Sequence, residues 1–398
     1  GVGMLINVHV IFRGWGVAQA ATVMTLTALL TKWGAAWSSR RIMRLGSDEG
    51  RLMFGLSSGK AAATIAATMI GYQYGLLTED MMNGAVIMIL VCCIVASVTT
   101  ENAARSIRIS LSAAEMEGEM PRRAGFARQV VAVSNPITAE GIMRMAIFMR
   151  SPHNTETVTA LFVRRNDDPT LIRDGRQSLN LALSAAEAVE IPCRSVERFD
   201  LNIMAGVTNV MRELNASEVV IGLHRRANFV DSFFGSVIEQ LMRSTDRMII
   251  MARCFIPVDT LSRIFVYVPA NAQFETGFCE WIARVGNLAS QLSTRVQFMC
   301  LPATGEYIET HISEGGYAFS RTYAEMQSWD DFIILSSQVG EEDLLIVIGA
   351  RKGSVSYTGD YDNMPSFLGR NFRNHNLTLI IPEQFGGKPK SPDILNPR

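Results

Sequence analysis

The chain has 398 residues, which leaves room for two or three domains. Its 37 basic and 38 acidic side chains give a net charge of -1, so no global basic field points to nucleic acid. The six cysteines show no zinc or disulfide spacing and read as buried free thiols of a reducing compartment.

Apolar residues concentrate in the first 100 positions. Residues 1–12 carry no charge and read as the end of a helix cut at Gly1. Residues 14–39 carry only Lys32, residues 52–78 only Lys60, and residues 81–100 none. Each of the last three is long enough to span a bilayer, which takes about 20 mostly apolar residues. Arg40, Arg41, Arg44 and Arg51 follow the second segment, Glu79 and Asp80 the third, and Arg105 and Arg108 the fourth. The positive-inside rule then places the 40–51 loop and everything after about 105 in the cytoplasm, as for a protein of the cell's inner membrane. Trp33 and Trp37 fall near the inner interface, and Trp15, Tyr72 and Tyr74 near the outer one.

Two lysines stand inside these segments. Lys32 lies near a cytoplasmic end, where it either snorkels to the interface or pairs with a carboxylate on a helix outside these segments. Lys60 lies roughly 12 Å into its segment at the usual helical rise. It follows Gly55-Leu56-Ser57-Ser58-Gly59 and precedes three alanines. Small and hydroxyl residues beside an intramembrane charge suit a helix that breaks at mid-membrane. Lys32, Lys60, Ser57 and Ser58 are therefore the candidate ion-pathway residues.

These segments resemble the last membrane helices of the CPA2 family of monovalent cation:proton antiporters, the sodium/hydrogen exchanger family. Gly1-Val2-Gly3-Met4-Leu5-Ile6-Asn7 resembles a helix end of that family, and Thr31-Lys32-Trp33-Gly34-Ala35-Ala36 resembles the helix bearing its intramembrane lysine. Phe54 to Ala61 resembles the interrupted helix that follows, with Gly59-Lys60 where many relatives have glycine and glutamate. Met82-Asn83-Gly84 to Glu101 resembles the closing helix. The resemblance implies exchange of Na+ or K+ for a proton at a carboxylate on an earlier helix, with further N-terminal helices and a homodimer as partners. A nearby lysine would bias the pKa of that carboxylate.

The stretch 101–123 mixes charges with small residues and reads as a short amphipathic helix ending in a loop at Gly118 and Pro121. From Arg128 onward, short strands alternate with helices. Strands are expected at Gln129–Val133, Thr157–Val163, Arg194–Arg198, Glu218–Ile221 and Arg247–Ala252. Helices are expected at Thr138–Arg150, Ser178–Glu190, Ile203–Leu214 and Phe233–Arg243. The rhythm repeats with strands at Ile264–Val268, Val296–Cys300, Leu344–Ile348 and Leu377–Ile381, and a helix at Phe274–Leu292. This alternation argues two α/β domains with parallel sheets. The organisation expected is membrane helices over 1–104, a linker over 105–123, and α/β domains over 124–256 and 257–398.

The first α/β domain resembles the universal stress protein family, whose phosphate loop is G-x2-G-x9-G-S/T. Gly222, Arg225, Gly235 and Ser236 fall in that register, with arginine at the middle glycine. Glycine lets backbone approach a phosphate, and a helix start at Ser236 offers N–H donors. The resemblance implies an adenine nucleotide in the first domain. In the second, Gly349-Ala350-Arg351-Lys352-Gly353-Ser354 loses the spacing. Stress-protein units pair through their last strand, and a tandem pair could do so within one chain. Gly55-Leu56-Ser57-Ser58-Gly59 has the spacing G-x-S-x-G but lies in an apolar segment, and no H-E-x-x-H or Walker loop is present, so nothing argues for an enzyme. The leading expectation is a cation:proton antiporter with cytoplasmic regulatory domains. The alternative is a membrane-anchored nucleotide or stress sensor without transport.

Overall fold

The computed structural model describes residues 15–43, 45–59, 62–118, 127–223, 236–326 and 329–384. The chain divides into two compact units, Gly1–Gly118 and Glu119–Arg398.

The first unit is helical: α1 (Trp15–Met43), α2 (Ser47–Ser58), α3 (Ala62–Gln73) and α4 (Glu79–Gly118). Among the described residues, one helix is both long and apolar enough to cross a bilayer unbroken, Glu79–Ile107 within α4. Lys32 with Arg40 and Arg41 lowers the apolarity of α1, and the 52–78 segment is shared between the end of α2 and α3. The separate amphipathic helix expected after residue 101 is also absent. α4 runs on for 40 residues because no glycine or proline interrupts it between Gly84 and Gly118.

This unit packs through small residues. A Cβ on Gly84 would stand 2.9 Å from the Ala21 amide nitrogen, and one on Gly55 2.9 Å from the Thr100 nitrogen. Only glycine lets these backbones come so close. Ala21, Ala36, Ala85, Ala96 and Ala103 are buried, whereas Leu26, Leu30, Leu90, Ile94 and Val98 are exposed.

The second unit is one ten-stranded sheet with the order β3-β2-β1-β4-β5-β10-β9-β6-β7-β8. Its strands are β1 (Gln129–Ala132), β2 (Val158–Arg164), β3 (Cys193–Phe199), β4 (Glu218–Gly222), β5 (Met248–Arg253), β6 (Arg263–Tyr267), β7 (Arg295–Cys300), β8 (Arg321–Glu325), β9 (Leu344–Ile348) and β10 (Asn376–Ile381). β1–β5 and β6–β10 therefore repeat one pattern, each parallel within itself. The two repeats join through their last strands, antiparallel, with Ile250 opposite Ile380. Two parallel sheets thus become one mixed sheet.

Helices cover both faces. α5 (Pro136–Met149), α6 (Pro169–Glu187), α9 (Phe278–Leu292) and α10 (Pro302–Glu314) lie on one face, around Met143, Leu179, Trp281 and Ile308. α7 (Ile203–Glu213), α8 (Ser236–Ser244), α11 (Trp329–Ser336) and α12 (Met364–Asn371) lie on the other, around Val207, Leu241, Phe332 and Leu368. α6 starts nine residues before the expected Ser178. Asp168 accepts from the Thr170 N–H at 2.9 Å and Pro169 takes the first helical position, so the turn is capped there. β8, α10, α11 and α12 were not anticipated, and β8 reads Arg-Thr-Tyr-Ala-Glu, with no apolar run to mark it.

Candidate functional site

In the helical unit the site is a helix break. α2 stops at Ser58, Gly59 leaves the helical region (φ -85, ψ 43), and α3 begins at Ala62. Lys60 lies outside the described residues. Ser57 and Ser58 both donate their hydroxyls back to the Phe54 carbonyl, at 2.9 and 2.8 Å. Lys32 on α1 donates its Nζ to the Ser58 carbonyl at 3.2 Å. Lys32, Ser57 and Ser58 are thus brought together from two helices.

The carbonyls of a last helical turn lack intrahelical partners and carry roughly half a negative charge. The Lys32 ammonium neutralises that charge. A monovalent cation has the same chemistry, and the same carbonyl oxygens could ligate it. Ser58 is 1% exposed, so any cation held there is stripped of most of its water. α2 is fixed against α4 by the approach of Gly55 to Ala96 and Thr100.

The second unit carries a cleft of about 530 Å³ at the carboxyl ends of β1 and β2. Ser134, Asn135, Ile137, Arg164, Arg165, Asn166, Leu171, Asp174 and Ile203 line it. Its size suits a small ligand. Asn135 caps α5 by accepting from the Ile137 N–H at 3.0 Å, and Asn202 caps α7 by accepting from Met204 N–H at 3.0 Å. Those helix starts therefore already have acceptors from the protein. Arg164 is held by Asp167 at 2.6 Å.

Most of the stretch expected to form a phosphate loop lies outside the described residues. Gly222 ends β4, and a Cβ there would collide with Ile142 Cδ1 of α5. Packing against α5 thus favours glycine there whether or not a phosphate binds, although the end of the Ile142 side chain can shift. Ser236 is the first described residue of α8. Arg225 and Gly235 lie outside the described residues.

The corresponding turn of the second repeat is filled by its own side chains. Arg351 is buried and donates to the Asp246 and Arg247 carbonyls of the first repeat, each at 2.9 Å. Burial pulls its pKa down to about 10, so it stays charged at neutral pH. Glu275 is buried and accepts from the Ser356 N–H and hydroxyl, both at 2.8 Å. Tyr361 donates to the Ile348 carbonyl at 2.9 Å. The lost glycine spacing signals a changed loop, but nothing local signals that Arg351 reaches the other repeat.

Sequence reasoning also missed an ionic hub between the repeats. Arg284 on α9 donates to Glu218 on β4 at 2.7 Å, and their side chains are 6% and 1% exposed. Gln129 donates to the other Glu218 oxygen. Asn287 and Gln291 of α9 donate to the Met149 and Phe148 carbonyls at the end of α5, at 3.2 and 3.0 Å. The cysteines of this unit are free, and burial pushes the Cys254 and Cys300 thiols up to about 12, which keeps them protonated and unreactive.

No protein-family model matches the chain. A Na(+)/H(+) antiporter of Synechocystis sp., NhaS5, is 24% identical over 247 residues, covering 55% of this chain and 34% of the relative. The chain thus spans about a third of that relative's length. The cytoplasmic domain of a prokaryotic cation chloride cotransporter aligns over 65% of this chain and 96% of its own, at 11% identity and a TM-score of 0.44. A universal stress protein of Archaeoglobus fulgidus aligns over the same shares, at 11% identity and a TM-score of 0.42. The chain is similar to a sodium/proton antiporter in sequence and to stress-protein-like domains in structure.

Proposed function

We propose that this chain is part of a monovalent cation:proton antiporter, with helices α1–α4 in the transport core and the repeats 124–256 and 257–398 as its cytoplasmic regulatory part. The observation that carries the reading is the Lys32 ammonium on the terminal carbonyl of a broken helix. The 24% identity to a Na(+)/H(+) antiporter agrees with it.

Transport of Na+ or K+ needs a site that trades one positive charge for another. Lys32 supplies a resident positive charge at the α2 terminus. An arriving cation competes with that ammonium for the same carbonyls and frees it to move. The exchanging carboxylate belongs to a helix outside α1–α4. The ammonium would hold that carboxylate ionised while it stands near, and the carboxylate would take up a proton or a cation once the ammonium withdraws.

Cation-driven proton flux in everted vesicles carrying the full-length protein tests this, with Lys32→Ala beside wild type. Flux in wild type that is lost or shifted in pH by the substitution supports the assignment. Wild-type flux untouched by it returns Lys32 to an interfacial role. Absence of flux with Na+, K+ and Li+ sinks the antiporter reading.

A second reading is favoured by the cleft of the first repeat. There an adenine nucleotide would lie against Asn135, Arg165 and Ile203, with Gly222 and Ser236 nearest its phosphates, and would set transport or report stress. Equilibrium binding of ATP to the full-length protein, compared with Arg165→Ala, decides it. Equal binding by both, or none by either, removes the nucleotide from that cleft.

A further inference from the structure

The cytoplasmic end of α1 and the start of α2 enclose a groove of about 180 Å³, whose lining includes Trp33, Trp37, Arg40, Ser47, Gly50 and Arg51. The Arg40 stem lies over Gly50, where a Cβ would stand 2.9 Å from Arg40 Cδ. Arg40 Nε donates to the Leu45 carbonyl at 3.4 Å, and its Nη groups have no protein partner among the described residues. Arg51 is 67% exposed and meets only Asp48, at 3.2 Å, among the described residues. That carboxylate is already engaged, since its second oxygen accepts from Ser106 at 2.6 Å. Glu49 is engaged as well, accepting from the Gly46 N–H at 2.8 Å. Gly46 has no side chain with which to cap the first turn of α2, so that turn also presents N–H groups.

A second observation points the same way. Leu26, Leu30, Trp33 and Trp37 are spaced four, three and four residues apart and so share one face of α1. All four are exposed, by 55, 63, 58 and 48%. Arg40 and Arg41 continue that face, and the Arg41 guanidinium lies 5.3 Å from the Trp37 ring centre. An apolar stripe thus runs down the helix, passes two indoles and ends at guanidinium groups. That is the order of chemistry in a phospholipid read from acyl chain to phosphate.

We infer that this groove holds the phosphate of an anionic phospholipid of the cytoplasmic leaflet, with an acyl chain along the Leu26–Trp37 face. The inference rests on the membrane placement proposed above. Arg40 and Arg51 bind the phosphodiester, and the indoles mark the headgroup depth. The stripe favours a lipid over a free anion, because inorganic phosphate has nothing to lay on it.

The test uses full-length protein purified in detergent, with phosphatidylglycerol and phosphatidylcholine as probes and retained lipid counted by native mass spectrometry. Wild type should retain phosphatidylglycerol in preference. Arg51→Gln should weaken that preference about fivefold, and Arg40→Gln with Arg51→Gln about fivefold again. Because Arg51 is exposed, the single variant keeps the test decisive if the double variant does not fold. Equal retention of the two lipids overturns the inference, as does an unchanged preference in Arg51→Gln or displacement of the lipid by millimolar inorganic phosphate. Flux of the same preparations keeps the two claims apart. Intact transport without lipid preference overturns the groove alone, and preference without transport overturns the antiporter alone.

Discussion

The helical unit and the sheet unit are built inside out with respect to each other. The helical unit buries alanine and glycine and exposes leucine, isoleucine and tryptophan. The sheet unit buries Trp281, Phe265, Phe278, Phe298, Phe332 and Met143. The difference teaches which solvent each one faces. In water, large apolar side chains gain most from leaving the surface. In lipid that gain vanishes, so helices are held by close backbone approach instead. One chain thus carries two answers to the same packing question.

Truncating a large apolar side chain in each unit is the strongest way to break this comparison. Phe298→Ala should cost about 3–5 kcal/mol in urea unfolding of the sheet unit, because the ring is fully buried. Leu90→Ala, on the exposed face of α4, should change the thermal stability of the detergent-solubilised protein by no more than about 0.5 kcal/mol. A large loss at Leu90 would show that protein, not lipid, covers that face.

Next in size is the ionic hub. Arg284→Met should cost about 3–5 kcal/mol, since it strands the Glu218 carboxylate in the core. Adding Glu218→Leu should recover most of that loss, because a buried pair replaced by apolar groups is often neutral. No recovery in the double variant would mean that the hub also positions α9 against α5.

A smaller effect sharpens the contrast between the two glycine contacts. Gly55→Val drives a side chain into the backbone of α4 and should cost about 1–3 kcal/mol, read as a lower melting temperature in detergent. Gly222→Ala meets only the mobile end of Ile142 and should cost less in the sheet unit. The reverse order would refute backbone approach as the adhesive of the helical unit.

The smallest effect depends on pH. Arg321 and the Tyr323 hydroxyl hold the Glu309 carboxyl down to about 2, with Arg321 the larger cause. A carboxyl lowered on folding adds stability above its unfolded value, and that stability is lost as pH falls through the folded value. The loss should therefore appear between roughly pH 4.5 and 2. Glu309 is 45% exposed, so solvent screening keeps it to under about 1 kcal/mol. Arg321→Met should remove this step from an acid unfolding curve.

Legibility in the sequence followed burial. β4 and β9 are buried at nearly every position and read directly as apolar runs, Glu-Val-Val-Ile and Leu-Leu-Ile-Val-Ile. β8 lies at the sheet edge and buries almost nothing, so it left no apolar trace. The break after Ser58 was legible from Gly59 and its serines, because local chemistry determines it. The partner of Lys32 was not, since a backbone carbonyl carries no residue identity. Arg351 and Arg284 went unseen for a related reason. Their partners lie more than 60 residues away, and distance along a chain says nothing about which charges meet.

The antiparallel pairing of β5 with β10 makes a two-fold pair out of a single chain. Its halves stay matched at any dilution, because the tether sets their mutual concentration. Copies encoded in tandem are also free to diverge, which identical subunits of a homodimer are not. Here the second half has filled the turn after β9 with Arg351, which reaches across to the first. The two halves are therefore tied in amount yet independent in chemistry, and a change in one need not be copied in the other.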